Sequence, residues 1–165
     1  MVDSDAGKEA DSRPPTLEDL LHLCSELNRV GAKYIVIGGM AIIRLGFVRA
    51  TEDIDLLVDS SPENQELVRQ ALMTLPDQAV REMTMTDLDD YRVIRVADEI
   101  VVDLMKSACG IAYPEASQSI EWEKIEGVPI PFASARLLWK LKQAPRAKDE
   151  IDRVFLRALL EKENG

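Results

Sequence analysis

Residues 34–58 read YIVIGGMAIIRLGFVRATEDIDLLV, and this stretch decides the fold class. It joins two apolar segments, and the second one opens with the carboxylates Asp53 and Asp55. Because successive side chains of a strand point to opposite faces, both carboxylates lie on one face of the predicted strand. Two like charges at this spacing repel by ~2 kcal/mol at an effective dielectric of about 20. A divalent cation with oxygen ligands turns that repulsion into attraction, whereas the alternative is a solvated edge strand that carries acids.

Two further features of the sequence favour the metal-binding interpretation. Gly38 and Gly39 allow a tight turn after the first apolar segment, and they open a predicted helix over residues 40–45. The N-terminus of a helix offers free N–H groups to a phosphate. Asp103 lies inside the apolar run over residues 100–105, where burial is again expected. The glycine turn, the paired acids and the distant third acid together predict a two-metal phosphoryl-transfer site.

The length of 165 residues suits one domain with its own core. Residues 1–14 lack the apolar core of a secretory signal, so we expect a disordered lead-in there and a single domain over residues 15–165. No apolar run approaches the ~18 residues of a membrane span. Cys24 and Cys109 lie far apart and outside any metal-type spacing, which favours reduced thiols in a cytoplasmic protein.

The net charge of −10 argues against binding of long nucleic acid, because that affinity comes from many contacts of lysine and arginine with phosphates. A small nucleotide that binds with a metal ion, or an RNA end held at a local basic patch, is compatible with this charge. His22 is the only histidine and falls on the polar side of the first predicted helix. Catalysis by histidine-containing triads and histidine-based zinc sites therefore have little support.

The remaining elements follow from capping and turn signals. Thr16 opens the first predicted helix, Gly31 ends it, and Ser61-Pro62 starts another helix after the acidic strand. Two strands are predicted near Tyr91–Val96 and Ile100–Met105, whereas residues 107–121 are hard to assign.

The last third of the chain is predicted to be mostly helical, with helices from about residue 134. A short strand over Val128–Phe132 precedes them, and its residues Pro129 and Pro131 indicate a sheet edge, because proline cannot donate to the ladder. The last helix is predicted to have an apolar face formed by Ile151, Val154, Phe155, Ala158 and Leu159. This order of elements predicts an α+β fold in which helices pack on a mixed sheet.

The chain also resembles a known superfamily. The residues Gly38-Gly39, Asp53-Ile54-Asp55-Leu56 and Val102-Asp103-Leu104 are similar to the pattern of DNA polymerase beta-type nucleotidyltransferases. More narrowly, residues 38–58 resemble small bacterial minimal nucleotidyltransferases and abortive-infection toxin-type nucleotidyltransferases. Those relatives carry an R-x-T before the paired acids, and a lysine on a late helix before a KD-x-x-D segment. The matching residues here are Arg49, Thr51, Lys140 or Lys142, Lys148, Asp149 and Asp152.

This resemblance implies a short, mostly antiparallel mixed sheet with C-terminal helices packed on it. It also implies two Mg²⁺ (or Mn²⁺) ions and a nucleoside triphosphate as substrate. Asp53, Asp55 and Asp103 would then be the catalytic acids and the metal ligands. The nucleotide-binding residues would be Gly38, Gly39, Arg49, Thr51 and Lys140. The residues themselves leave simpler roles open, since Arg49 could pair with Glu52 and Thr51 could order the turn.

The function implied by the resemblance is transfer of a nucleoside monophosphate from the triphosphate to a hydroxyl group. The acceptor would be a protein side chain, a tRNA end or a small molecule, and a toxin–antitoxin system with a cognate toxin or antitoxin protein is one setting. Neither a membrane nor long nucleic acid is an expected partner. The alternative is a catalytically inactive module of the same fold that binds a nucleotide or a protein partner.

Overall fold

A computed structural model of the protein describes residues 11–164. The first half contains one long helix, a short helix between two strands, and a second long helix. In chain order these elements are α1 (Leu17–Val30), β1 (Tyr34–Ile37), α2 (Gly38–Arg44), β2 (Asp53–Val58) and α3 (Pro62–Leu72). The predicted acidic strand is thus confirmed, and the short helix begins at the first glycine of the turn.

The second half begins with a short 3₁₀ turn at Ala79–Glu82 and the single-turn helix α4 (Asp87–Asp90). Strands β3 (Val93–Ala97) and β4 (Val101–Met105) follow, as predicted. The segment that fitted no element forms a small hairpin, β5 (Ser107–Ala108) and β6 (Ile111–Ala112), then α5 (Tyr113–Ala116) and a 3₁₀ turn at Ser117–Ser119. The chain ends with β7 (Ile120–Ile125), β8 (Val128–Ala133), α6 (Ala135–Leu141) and α7 (Ala147–Asn164).

Six strands form the main sheet, in the order β3-β4-β2-β1-β8-β7. The pairs β3–β4, β1–β2 and β7–β8 are antiparallel, whereas β2–β4 and β1–β8 are parallel. The sheet is therefore mixed and mostly antiparallel, with helices around it, which confirms the predicted fold class. Among the described helices, none is long and apolar enough to span a membrane.

The helix boundaries follow from the capping residues that the sequence indicated. Thr16 and Asp19 form a capping box at the start of α1, and Gly31 ends that helix in the left-handed conformation with φ 78°. The side chains of Ser61 and Ser134 accept hydrogen bonds from backbone N–H groups at the starts of α3 and α6. These local signals depend on a few adjacent residues, which explains why the sequence identified them.

The prediction that β8 lies at a sheet edge is wrong, because β8 lies between β1 and β7. The backbone of Pro129 faces away from β7, since its carbonyl oxygen accepts a hydrogen bond from Asn28 Nδ2 at 2.8 Å. On that side β8 meets β1 at a single register pair, Val36 with Phe132. Pro129 and Pro131, which lack a backbone N–H group, therefore face the side of β8 that forms few ladder hydrogen bonds with β1. An inner strand can contain prolines at such positions.

The predicted apolar face of the last helix is correct only in part, because Phe155 and Leu159 pack against the core but its other members do not. Ile151 and Val154 are 59% and 66% exposed, whereas Asp149, Asp152 and Leu156 are buried. Helix α7 is rotated so that two carboxylates of its first turns point into the protein. A pattern of apolar residues cannot predict this rotation, because it is stabilised by ion pairs with charged residues elsewhere in the chain.

The predicted lead-in over residues 1–14 falls mostly outside the described residues, and residues 11–14 precede α1. The Ser12 hydroxyl donates to the carbonyl oxygen of Asp98 at 2.6 Å. The Arg13 guanidinium pairs with Asp19 at 2.7 Å, and the Arg13 backbone N–H donates to the carbonyl oxygen of Glu99. These contacts tie the start of α1 to the turn between β3 and β4, beside the N-terminal ends of β2 and β4.

Candidate active site

Parallel pairing of β2 with β4 brings the three acids together. Asp55 is the register partner of Asp103, and Asp53 lies two residues earlier on the same face of β2. One carboxylate oxygen from each of Asp53, Asp55 and Asp103 can be chosen so that all three lie within 4.8 Å of one another. Asp103 is buried, and Asp53 and Asp55 are partly exposed. The three acids that the sequence singled out therefore form one cluster.

The cluster is electrostatically unfavourable without a cation. Burial first, and then the charges of Asp53 and Asp103, raise the pKa of Asp55 to about 8, against the opposing effect of Lys148 and Lys142. The pKa of Asp53 is also raised, first by burial and then by Asp103, while Lys148 and Arg95 act in the opposite direction. Carboxylates held this close in a partly buried site favour a neutral form or a cation between them.

Gly38 and Gly39 allow the start of α2 to lie against this cluster. Gly38 has a φ of 68°, and a Cβ atom built on it would collide with Oδ2 of Asp55 and lie 2.8 Å from its Cγ. A Cβ atom built on Gly39 would collide with the hydroxyl of Thr51 and lie 3.2 Å from the Arg49 guanidinium. Both glycines are therefore required by close packing, and at Gly38 the positive φ adds a second requirement.

A cavity of about 250 Å³ opens in front of the acids. Its lining includes Gly39, the loop of residues 49–53, Asp55, Lys142 and Lys148. The loop is held in place partly by Thr51, whose hydroxyl donates to the carbonyl oxygen of Asp53 at 3.1 Å. The cavity is thus lined by both carboxylates and lysines, which suits an anionic ligand that binds together with a cation.

Arg49 is anchored by Asp152, a residue of the KD-x-x-D segment that the sequence resemblance singled out. Its Nε and Nη2 atoms donate to the two carboxylate oxygens of Asp152, each at 3.0 Å. The same carboxylate accepts from Lys142 Nζ at 3.0 Å, and Asp149 lies 3.4 Å from that ammonium group. The buried acids of α7 therefore hold Arg49 and Lys142 at the cavity wall. The suggested pairing of Arg49 with Glu52 is not formed.

The structure does not bring every predicted nucleotide-binding residue to the cavity. Gly39, Arg49 and Thr51 line it, and Gly38 lies against Asp55. Lys140 is exposed on α6 and is not among the described residues that line the cavity. Lys142 takes that place, because it follows the end of α6 and points back towards the acids of α7. The sequence named both lysines at this position but could not choose between them without the helix orientation.

Arg95 is a site residue that the sequence analysis missed. It is the register partner of Asp103 in the antiparallel pair β3–β4, and its guanidinium lies 2.8 Å from Asp103 and 3.4 Å from Asp53. The sequence could have indicated this residue, because the short turn between β3 and β4 determines which residue of β3 faces Asp103. An arginine directly opposite an acid on a neighbouring strand favours a cross-strand ion pair.

We predict that Asp152→Asn destabilises the protein and weakens nucleotide binding. The substitution removes the acceptor of the bidentate Arg49 pair and leaves the Lys142 ammonium group with less compensation in a buried position. Loss of one partner from a buried ion pair costs about 3–5 kcal/mol. Urea unfolding of Asp152→Asn beside Glu150→Gln, an exposed acid on the same helix, measures this cost. Equal stability of the two variants would contradict the assigned anchoring role.

A second cavity of about 420 Å³ lies on the other side of the same loop. It shares Arg49, Ala50 and Thr51 with the first cavity, and most of its other lining side chains are apolar and come from α1, α2, β7 and β8. The loop over residues 49–51 is therefore a thin wall between a polar cavity with the acids and an apolar cavity.

The donor set of the cluster fits a divalent metal ion. All three side chains offer carboxylate oxygens, the ligands that Mg²⁺ and Mn²⁺ prefer, and one oxygen from each can lie within 4.8 Å of the others. The cluster also opens to a cavity with two lysines, where phosphate oxygens could complete the coordination.

Comparison with known proteins agrees with this geometry. A family model described as a nucleotidyl transferase of unknown function (DUF2204) matches residues 16–157, which is most of the chain. The chain belongs to this nucleotidyl transferase family. The resemblance found in the sequence is thereby confirmed, and the DUF2204 protein described here is a nucleotidyltransferase. No curated protein matches it in sequence.

Solved structures share the fold of this DUF2204 protein at low sequence identity. A candidate nucleotidyltransferase from Thermotoga maritima, TM1012, is 18% identical, with a TM-score of 0.53 over 88% of this chain and 90% of that one. The lincosamide antibiotic adenylyltransferase LnuA, solved with lincomycin, is 16% identical, with a TM-score of 0.55 over 88% and 98%. The enzyme ANT(2″)-Ia, solved with adenylyl-2″-tobramycin, is 16% identical, with a TM-score of 0.51 over 88% and 91%. These similarities establish the fold.

Proposed function

We propose that this nucleotidyltransferase transfers a nucleoside monophosphate from a nucleoside triphosphate to a hydroxyl group of a small molecule, with a divalent cation bound at Asp53, Asp55 and Asp103. The observation that carries the proposal is the cluster of these three acids in front of a cavity that Lys142 and Lys148 also line. Acids and lysines at one cavity match a metal-bound triphosphate, because the acids would hold the cation and the lysines would partly neutralise the phosphates.

Each side chain at the cavity has a distinct task in this proposal. Asp53, Asp55 and Asp103 would hold Mg²⁺ or Mn²⁺, which supplies Lewis acidity towards phosphate oxygens and towards the acceptor hydroxyl when bound. Lys142 and Lys148 would contact the triphosphate as point charges, and Arg49 would add a hydrogen-bonding contact from the loop. Gly39 lets Thr51 and Arg49 pack against the start of α2, and this packing would set the wall of the cavity that receives the triphosphate.

The charged groups at the cavity differ in how firmly the fold holds them in place. Asp53 and Asp55 are fixed by β2, and Asp103 is fixed by β4, so the cation ligands are set by strand pairing. Arg49 and Lys142 are fixed through Asp152 of α7. Lys148 is exposed and is the least constrained of the cations at the cavity. We expect it to move most when a nucleotide binds.

A small-molecule acceptor is the class that the structural relatives favour. LnuA is described as a lincosamide antibiotic adenylyltransferase, and ANT(2″)-Ia was solved with an adenylylated tobramycin. The net charge of −10 also makes a long polynucleotide a poor acceptor. A protein side chain or a tRNA end as acceptor, and action within a toxin–antitoxin system with a cognate protein partner, stay as predictions from the sequence resemblance.

Thermal unfolding with each ribonucleoside triphosphate, with and without Mg²⁺ or Mn²⁺, tests the donor site directly. A ligand at about 100 times its dissociation constant stabilises the native state by ~2.7 kcal/mol, which a melting curve resolves. We expect a metal-dependent shift for at least one nucleotide in the natural protein and no such shift in an Asp53→Asn/Asp55→Asn variant. The nucleotide that gives the shift is then used as radiolabelled donor with panels of hydroxylated small molecules.

The control for this experiment is Asp89→Asn/Asp90→Asn, which removes the same charge from exposed positions in α4. It should retain the full nucleotide shift. A folded natural protein without a shift for any nucleotide would contradict the proposed donor site. A shift that persists unchanged in the Asp53→Asn/Asp55→Asn variant would show that the nucleotide binds elsewhere.

A further inference from the structure

Arg95 contacts two of the three acids that would hold a cation at the cluster. Its Nε donates to Asp103 Oδ1 at 2.9 Å, and its Nη2 donates to Asp103 Oδ2 at 2.8 Å. The same Nη2 lies 3.4 Å from Asp53 Oδ2. One guanidinium group thus covers both oxygens of Asp103 and reaches one oxygen of Asp53.

The position of Arg95 is set by the sheet, so the contact is built into the fold. Strand β3 pairs with β4 in antiparallel register, and Arg95 faces Asp103 directly. The planar fork of the guanidinium matches a carboxylate bidentately, which makes this pair stronger than a lysine pair at the same place. The Arg95 side chain is 32% exposed, whereas that of Asp103 is 8% exposed, so the arginine has room to withdraw and the acid does not.

We propose that Arg95 is the internal counter-ion of the Asp53–Asp103 pair, and that a divalent cation binding between these acids has to displace it. The proposal rests on the proposed function, because it concerns the same cation. In the metal-free protein, Arg95 is the cation that directly contacts the buried carboxylate of Asp103. When a metal ion binds, the guanidinium leaves at least one of the two carboxylates. Arg95 therefore lowers the affinity for free metal ions.

This competition has a consequence for the order of binding. A cation that arrives with a triphosphate brings additional oxygen ligands and gains the contacts of the phosphates with Lys142 and Lys148. A free cation gains none of these contacts and faces the same cost of displacing Arg95. We therefore expect the site to discriminate against free metal ions and in favour of the metal–nucleotide complex.

A different role for Arg95 would give the opposite result. If Arg95 only held Asp103 in a conformation suited to metal binding, its removal would weaken metal binding. The sign of the change in metal affinity therefore separates a counter-ion from a positioning residue. Activity alone does not separate them, because either role can lower turnover.

The experiment measures Mn²⁺ binding to the full chain after removal of metal ions, by titration calorimetry and by the electron paramagnetic resonance signal of free Mn²⁺. The variants are Arg95→Gln, Arg95→Lys and the control Arg92→Gln, which removes one positive charge from an exposed position on the same segment. We expect Arg95→Gln to bind free Mn²⁺ at least about tenfold more tightly than the natural protein, or about 1.4 kcal/mol. Arg92→Gln should stay within about twofold of the natural protein, because exposed charges are screened.

Arg95→Lys keeps the charge but loses the bidentate fork, so its Mn²⁺ affinity should lie between those of the natural protein and Arg95→Gln. We also expect Arg95→Gln to melt at a lower temperature without metal and to gain more stability from Mn²⁺. Should Arg95→Gln prove poorly folded, the ranking of Arg95→Lys against the natural protein gives the same test.

The outcomes distinguish this inference from the proposed function. Unchanged or weaker Mn²⁺ binding by Arg95→Gln and Arg95→Lys, in a protein that binds Mn²⁺ with nucleotide, overturns the counter-ion role and leaves the proposed function intact. An equal gain in Mn²⁺ affinity by Arg92→Gln also overturns the counter-ion role, since the gain would then follow from the loss of any positive charge. Absence of Mn²⁺ binding by every protein, with or without nucleotide, overturns both.

Discussion

Asp55→Asn is expected to abolish nucleotidyl transfer while making the metal-free protein more stable. The activity should fall by at least about 1000-fold, or about 4 kcal/mol of transition-state stabilisation, because the substitution removes one of the three carboxylates that would hold the cation. Turnover of radiolabelled nucleoside triphosphate measures the loss. A fully active Asp55→Asn enzyme would refute the assignment of the cluster as a metal site.

The gain in stability follows from the pKa of Asp55, which burial, Asp53 and Asp103 raise to about 8. The folded-state pKa of this acid exceeds its unfolded value of about 3.9, so the natural carboxyl opposes folding increasingly as the pH rises from about 4 to about 8. Asparagine carries no charge and avoids this penalty. Urea unfolding in EDTA at several pH values should therefore show an advantage of Asp55→Asn that grows through this pH range.

Gly38→Ala is expected to lower both stability and turnover. Its φ of 68° costs a non-glycine residue about 1–2 kcal/mol, and the added methyl group would collide with the Asp55 carboxylate. Because the carboxylate has to move, turnover should fall by about 100-fold or more even where the variant is folded, as expected when a reacting group is displaced by about 1 Å. The sequence resemblance assigned this glycine to nucleotide binding, and its contact with Asp55 adds the effect on the acid cluster.

The matched control is Gly31→Ala at the end of α1. Gly31 has a similar φ of 78°, but a Cβ atom there would meet nothing within 4 Å. We expect this variant to lose about 1 kcal/mol of stability and to keep full turnover per folded molecule. Comparison of the two variants separates the cost of the backbone conformation from the effect of crowding the acid. If both variants lose turnover equally, crowding of Asp55 is not the cause.

The acid cluster could be predicted from sequence because each of its members lies in an apolar run. A carboxylate such as Asp103 among buried strand residues costs folding free energy, so its presence indicates a functional role. Apolar strands of this kind are also recognised from their local sequence pattern. Gly38 could be predicted for the same reason, since it interrupts an apolar segment next to a strand. Capping residues such as Thr16 and Ser61 were also identified, because caps depend on three or four neighbouring residues.

The ion pairs that hold the cations of the site could not be predicted, because they join residues of separate segments of the chain. Arg95 faces Asp103 through the register of β3 on β4, and Arg49 meets Asp152 across more than half of the chain. The choice of Lys142 over Lys140 depends on the rotation of α7, which turns its acids inward and its aliphatic residues Ile151 and Val154 outward. Each of these features depends on ion pairs between distant segments of the chain, and local patterns of apolar residues do not predict such pairs.

The register of β2 on β4 determines where residues can be inserted into the chain. Asp53, Asp55 and Asp103 meet because the two parallel strands are aligned residue for residue, and a slip of one residue would turn Asp103 to the opposite face of the sheet. An insertion inside either strand would therefore dismantle the cluster. The long connection from β2 to β3, which contains α3 and α4, is not bound by this condition. Insertions should be tolerated at its exposed turns, so an engineer could attach a reporter or a second binding module there without disturbing the chemistry.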